Sequence, residues 1–367
     1  MDAVDVVVIG AGPAGAAAAL SLAPTRHVAL VERRVDGPRR TGEALPPVAR
    51  RLFADMGLLA EFLAEGHLPC HGNRSAWGSD EPVETDFLRD LDGHGWHLDR
   101  ARFDDWLRRA SVRRGATLLM PARFDAIGRD GARWRVRVAG DNGPVELSAP
   151  VVIDCGGRRA PAARRLGARR HTAGERLVCA WALGTERSGN SGAGLSVVEA
   201  VEDGWWYTAP VPGRRRVVAL FTDADLLAKR LLGDGAALVR RAMATRQIGP
   251  LMGEADFSPR QSGLAAAHHS FLDACSGPGW IAAGDASVSF DPVSSQGLLH
   301  ALFSGLSAAE AADRYLTGEL NAFDPYQRVV DATRHIYGSR VAGCYAAEAR
   351  WTAAPFWQRR GHRKRAR

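Results

Sequence analysis

Three glycines, at positions 10, 12 and 15, and the carboxylate of Glu32 are the side-chain pattern in this 367-residue chain with the most definite chemistry. Gly10 permits a tight turn, and Gly12 lets backbone approach a pyrophosphate at the positive end of a helix. Gly15 lets that helix pack closely on a strand, and Glu32 stands where ribose hydroxyls would be bound. Pro13 and Ala14 lie inside the same turn. Glu32 suits free ribose hydroxyls and not a 2′-phosphate, so the dinucleotide is FAD or NAD rather than NADP. A second acid decides between them. Gly284-Asp285 reads as the end of a strand, followed by the loop Phe290-Asp291-Pro292-Val293-Ser294-Ser295 and a helix entered at Gln296, Gly297 and Leu298. An NAD site has no use for this element. In a flavin site Asp285 serves the ribityl hydroxyls, and the helix N-terminus faces the pyrimidine edge of the ring.

The elements that must hold these groups follow from patterning. Val6 to Ile9, after Asp5, is a continuous apolar run, as a buried parallel strand requires. Ala16 to Leu20 continues as a helix, and Val28 to Val31 is a second strand ending on Glu32. After Gly42-Glu43-Ala44-Leu45-Pro46-Pro47 a helix runs from about Val48 to Leu59. Glu43 reads either as a helix-entry acid or as a flavin-side group. Residues between Cys70 and Trp96 alternate and are turn-rich, as strands of another sheet. The Asp99-Arg100 segment returns to helix through Ala110. Strands are expected at Ala116 to Met120, Phe124 to Gly128, Arg133 to Ala139, Val145 to Ser148 and Val151 to Cys155. A second β-rich region spans Leu177 to Leu183, Leu195 to Val201, Trp205 to Ala209 and Arg216 to Phe221, followed by helix from Leu226 to Met243. Long helices are expected up to about Tyr315 and from Asp324 to Trp351.

Composition is that of an ordinary globular protein, 46% hydrophobic and 24% charged. The net charge of +7 comes from arginine, because the lysines are Lys229 and Lys364 alone. No aromatic-interleaved basic groove accompanies the Arg359 to Arg367 cluster, which reads as a solvated tail, so nucleic-acid binding is not expected. The five cysteines have no metal-ligand or disulfide spacing, and no apolar stretch reaches membrane-spanning length. The expectation is a metal-free cytoplasmic protein.

Gly10 to Gly15 with Glu32, Asp99 to Leu107, Val151 to Arg158, and Gly284-Asp285-Ala286 through Pro292 to Gly297 resemble the signatures of the FAD-dependent monooxygenase superfamily. That superfamily includes aromatic hydroxylases, tryptophan halogenases and geranylgeranyl reductases. The segments Gly42 to Pro47, Gly204 to Pro210 and Phe290 to Gly297 are most similar to halogenase-like flavoproteins that mature peptidyl tryptophan-derived quinone cofactors. The resemblance implies an α/β Rossmann-type FAD-binding domain, an inserted antiparallel β-sheet substrate domain and a helical C-terminal segment. The boundaries are 1–70, 97–160 and 262–318 for FAD, 71–96 and 161–261 for substrate, 319–357 for the helical segment and 358–367 for the tail.

It further implies Gly10, Gly12, Pro13, Ala14, Gly15, Glu32, Arg33, Gly42, Glu43, Arg100, Asp285, Pro292, Gln296, Gly297 and Leu298 as the FAD site. Pro292 stands beside the flavin. His97 is the candidate pocket base, with a solvent-facing or core histidine as the alternative. Trp205 and Tyr207, on one face of their strand, border the substrate cavity, with Trp206 turned away. The implied reaction is hydroxylation of an aromatic substrate, indole or tryptophan, free or within a polypeptide, through a flavin C4a-hydroperoxide. It uses O2 and electrons from NAD(P)H or a partner flavin reductase. Reduction of an isoprenoid-like substrate and halogenation are the alternatives. Halogenases carry a lysine between flavin and substrate, whereas no lysine here precedes Lys229, and their WxWxIP motif is replaced by Trp205-Trp206-Tyr207-Thr208-Ala209-Pro210.

Overall fold

The computed structural model describes all residues except 1, 36–41, 88–89, 142, 173, 175, 189–193, 229–230, 232 and 362–367. Most of the basic tail therefore lies outside the described residues.

A parallel sheet lies at the centre of the first layer, because its strands are apolar on both faces and must be covered on both sides. Val6–Ile9 pairs with Val28–Val31 on one side and Val151–Asp154 on the other; Trp280–Ala282 and Thr117–Leu119 extend the sheet in parallel at its two sides. The edge strand Ser276–Gly277 closes one side antiparallel. The helices are α1 Pro13–Leu22, α2 Ala49–Asp55, α3 Leu59–Ala64, α4 Arg100–Arg113, α5 Pro161–Arg165, α6 Gly235–Ala242, α7 Ile248–Glu254, α8 Gly297–Leu316, α9 Phe323–Ala346 and α10 Pro355–Gly361. Helix α1 is almost wholly buried, which its alanines permit, since small side chains let α4 and α8 lie close on either side of it. A sheet of Asp2–Ala3, Gly143–Ala149, Arg133–Gly140 and Ala122–Asp130 flanks this layer.

The second large sheet has seven strands, in the order Phe257–Ala266, Leu177–Glu186, Arg215–Asp223, Gly204–Val211, Leu195–Val201, Gly72–Ala76 and Val83–Asp86. The two insertions expected from sequence thus join as one sheet, and the seam between them, Gly72–Ala76 against Leu195–Val201, is parallel. The other pairings are antiparallel. One face packs on the parallel-sheet side through Trp205, Ala219 and Phe221. The other is covered by α6 and α7 through Trp206, Val218 and Leu220. A small sheet of Ala44–Leu45, Gly95–His97 and Leu68–Cys70 bridges the layers.

Four expectations change. The strand Phe257–Ala266 runs across the expected boundary at 261/262, and it pairs along its length with Leu177–Glu186. The helix expected from Val48 divides into α2 and α3, because the chain turns at Gly57 with φ +66. The helix expected over Leu226 to Met243 is restricted to α6, which starts where Asp234 accepts the Ala237 N–H at 2.9 Å. Arg359 and Arg360 are not solvated tail. Both sit on α10, and the guanidinium of Arg360 lies 2.6 Å from the buried carboxylate of Asp223.

Candidate active site

The dinucleotide cradle is built as its sequence requires. Gly10 has φ +97, and a Cβ there would stand 2.4 Å from the Cys155 carbonyl oxygen; a Cβ on Gly15 would stand 1.8 Å from the Gly10 carbonyl oxygen. No side chain fits at either position. Gly12 precedes the first turn of α1 with no side chain capping it, which leaves the helix N–H groups available to a phosphate. Glu32 ends its strand with Oε2 accepting the Ala11 N–H at 2.9 Å, so the acid reaches across to the glycine turn as a ribose-binding carboxylate must. These features fit FAD. Arg33 is exposed just beyond Glu32.

At the same carboxyl edge of the parallel sheet, two strands away from the glycine turn, Asp285 is part-exposed, 3.6 Å from Arg158 Nε. Arg158 also donates to the carbonyls of His268 and Phe290, and so ties the Val151 to Arg158 segment to the loop after Asp285. That loop is tightly held. Asp291 caps its first turn by accepting the Val293 N–H at 3.0 Å, its other carboxylate oxygen accepts the Tyr345 hydroxyl at 2.8 Å, and its own N–H donates to the Tyr337 hydroxyl. Ser295 is left at φ +51, a conformation a non-glycine residue adopts at a cost that the surrounding contacts must meet. Pro292 stands half-buried inside this loop, Gln296 precedes α8 without a side-chain bond to its first turn, Gly297 begins it, and Leu298 packs against the core beside α2.

A polar cluster lies where the bridging sheet meets the seven-stranded sheet. Glu43 is buried; it accepts the Gly42 N–H at 2.9 Å, and Arg100 donates to the Gly42 carbonyl at 3.0 Å. Burial drives the Glu43 carboxyl up to about 7, against the backbone N–H bonds and the Arg100 charge that pull it down. His97 is fully buried, with Nε2 at 2.9 Å from Ser196 Oγ and Nδ1 without a partner among the described residues. Burial, reinforced by the nearby Arg216 charge, pushes His97 down to about 3, so it is a neutral core imidazole and not a base exposed to solvent. Tyr207 turns its hydroxyl into the same cluster beside Ser196, Glu43, Cys70 and Arg216, and burial raises it far above the ordinary phenol range. Its oxygen is buried with no partner of ordinary geometry among the described residues. Behind the cluster, Arg216 pairs with Glu186, both buried.

The structure thus brings Glu43, His97 and Tyr207 together and leaves Trp205 out. Trp205 and Tyr207 do share a face and Trp206 does face away, yet Trp205 is 2% exposed and stacked on Phe221 at 3.9 Å, with Nε1 donating to the Tyr345 hydroxyl at 3.3 Å. It is a core residue because α9 lays Tyr345 over that face of the sheet. The large cavity lies elsewhere, about 750 Å³ between α2, the loop from Phe290 to Gln296, α8 and α9. Trp205 and Tyr207 are absent from its wall, and Trp206 instead lines a smaller cavity of about 330 Å³ against Arg241 to Gln247. Sequence reading missed Tyr337, Tyr345 and His300. The buried four-residue spacing of Tyr337, Val341 and Tyr345 was the available signal for the first two.

A glycine cradle with its ribose acid, an aspartate at a neighbouring strand end and a helix N-terminus beyond it define a flavin-dependent oxidoreductase. More narrowly, the family model described as "FAD binding domain" matches residues 3–188, and the chain belongs to that family. The FAD-dependent oxidoreductase LodB of Marinomonas mediterranea is 29% identical over 364 residues, covering 98% of this chain and 97% of that protein. The myxobacterial chondrochloren halogenase CndH superposes with a TM-score of 0.88 at 25% identity, covering 98% of this chain and 86% of that one. The peptidyl tryptophan dihydroxylase QhpG shares the fold with a TM-score of 0.76 at 24% identity, covering 97% of this chain and 78% of that one. Among the described residues no helix is long and apolar enough to cross a membrane.

Proposed function

We propose that this protein is an FAD-dependent monooxygenase that hydroxylates an electron-rich aromatic ring, an indole or tryptophan side chain, free or within a polypeptide. One observation carries the choice of hydroxylation over halogenation. The strands and helices around the polar cluster and the large cavity, Gly72–Ala76, Leu195–Val201, Gly204–Val211, Arg215–Asp223, α2, α8 and α9, contain no lysine. A halogenating site needs such a side chain to carry the oxidised halide to the substrate.

FAD, when bound and reduced, supplies activated oxygen from O2. The chain's own part is to bind, orient and keep water out. Gly10, Gly12, Gly15 and Glu32 hold the dinucleotide, Asp285 and the N-terminus of α8 hold the flavin end, and Arg100 fixes the Gly42-Glu43 turn. Glu43, whose carboxyl is balanced near neutrality by burial, is the group able to hold or release a proton at its Oε atoms within the working pH range. His97 and Tyr207 stay neutral and act as fixed dipoles in a dry environment.

The test supplies FAD, NAD(P)H with a flavin reductase, O2, chloride and bromide to the protein with a tryptophan-containing peptide and with free indole. The expected product gains one or two oxygen atoms by mass spectrometry and carries no halogen. A halogenated product, or a product that gains only hydrogen without O2, overturns the reading.

A further inference from the structure

The large cavity carries an unanswered polar group. His300, on α8, lines it together with Phe290, Leu299, Tyr337 and Val341, and the Nε2 atom of His300 is buried with no hydrogen-bond partner among the described residues. Buried ring nitrogens are ordinarily paired, so an unpaired one on a residue of the cavity wall is a candidate partner for a ligand atom. The ring of His300 is itself held, edge to face against Phe290 at 4.7 Å, while Phe290 and Tyr337 lie tilted 4.4 Å apart. This part of the wall is therefore a rigid aromatic surface beside the His300 imidazole, while Arg51, Asp55, Thr333 and Arg340 line other parts of the cavity. About 750 Å³ is the size of a small-molecule site, and most of its lining is apolar, as such sites are.

The location adds a second argument. Phe290, Val293, Ser294 and Gln296 on this wall belong to the loop between Asp285 and α8, which the proposed function assigns to the flavin. At the mouth, Val48, Phe303 and Ile336 are 42%, 52% and 52% exposed, and apolar side chains of that size left in water beside a cavity suit an apolar entrant.

We propose that this cavity seats the aromatic ring of the substrate, with His300 as the hydrogen-bond partner of a ring N–H or O–H and with Phe290 and Tyr337 as its walls. The proposal rests on the aromatic hydroxylase reading. Burial pushes His300 down to about 4, so at neutral pH the imidazole is uncharged and offers a lone pair on one nitrogen and an N–H on the other. His300 is thus a positioning residue: it fixes which ring edge turns toward the loop, and it takes no part in bond making.

The experiment measures equilibrium binding to the oxidised, FAD-loaded protein by calorimetry, without reductant, so that failure of the seat and failure of the chemistry are separate results. The probes are indole, a tryptophan-containing octapeptide and 1-benzothiophene, which has the shape of indole without its N–H. Indole is expected to bind at least tenfold more tightly than benzothiophene. His300→Leu should abolish that ratio, and His300→Gln, which keeps a hydrogen-bonding group, should restore part of it. Leu299→Trp, which fills the cavity, should weaken indole and peptide by more than tenfold with bound FAD unchanged. Tighter binding of the peptide than of indole assigns the ring to a polypeptide, and the reverse to a free molecule. Equal binding of indole and benzothiophene, an unchanged ratio in His300→Leu, or loss of FAD rather than of ligand in Leu299→Trp overturns the proposal.

Discussion

The cradle and the polar cluster each carry an acid and each draw on residues at strand ends, yet they are specified in different ways. The cradle's own groups, Gly10, Gly12, Gly15 and Glu32, come from one stretch, and backbone sets their limits, the Cys155 carbonyl against Gly10 and the Gly10 carbonyl against Gly15. The cluster is assembled from Glu43, Cys70, His97, Ser196 and Tyr207, which four different strands and one turn bring together, and it is held by side-chain bonds over long separations. A local device is set by sterics and tolerates almost nothing at its few positions. A distributed device is set by electrostatics and fails by degrees.

The largest expected effect tests the local half of that contrast. Gly15→Val forces a side chain into the space occupied by the Gly10 carbonyl, and purified protein should carry no flavin absorbance even after FAD is added. Retention of flavin would mean that the turn is adaptable and the contrast false. For the distributed half, Arg216→Met leaves Glu186 buried without its counter-charge and should cost about 3–5 kcal/mol in denaturant unfolding, with FAD per folded molecule unchanged. A loss below about 1 kcal/mol would show that the pair is not what holds this sheet.

The smallest effect sharpens the border between the two. The Glu43 carboxyl rises from its ordinary 4.5 to about 7 in the folded protein, so its contribution to stability is full below about pH 4.5 and is lost as pH rises through 7. Glu43→Gln removes that loss. The variant should gain on the order of 2–3 kcal/mol over the parent at pH 8 and nothing at pH 4.5, read from paired denaturant titrations. A gain independent of pH would assign Glu43 a packing role only.

The same division explains how much was legible. Val6–Ile9, α1, Val28–Val31 and the Gly284-Asp285 end follow from periodicity and glycine spacing, because parallel strands and phosphate turns write their requirements into adjacent residues. The joining of Gly72–Ala76 to Leu195–Val201 was legible only as a topological need, without its parallel sense. Trp205 was misplaced because the residue that covers it, Tyr345, comes from a helix whose position no pattern near either residue records. The cavity was invisible for the same reason: α2, α8 and α9 meet only in the folded chain.

The clasp between Asp223 and α10 has a consequence in time as well as in space. The carboxylate of Asp223 is 1% exposed at the end of a strand in the middle of the seven-stranded sheet, and its partners Arg359 and Arg360 are made more than a hundred residues later. Trp357, which caps the strand two places away by donating to the Val201 carbonyl at 2.9 Å, arrives equally late. During synthesis this sheet must wait, with a charged group and a bare carbonyl on its flank, until residue 360 has left the ribosome. The cradle waits almost as long: its first strand pairs with Val151–Asp154, and α1 packs against α8, which ends at Leu316. A cell that makes this protein therefore holds neither region finished until nearly the whole chain has been made.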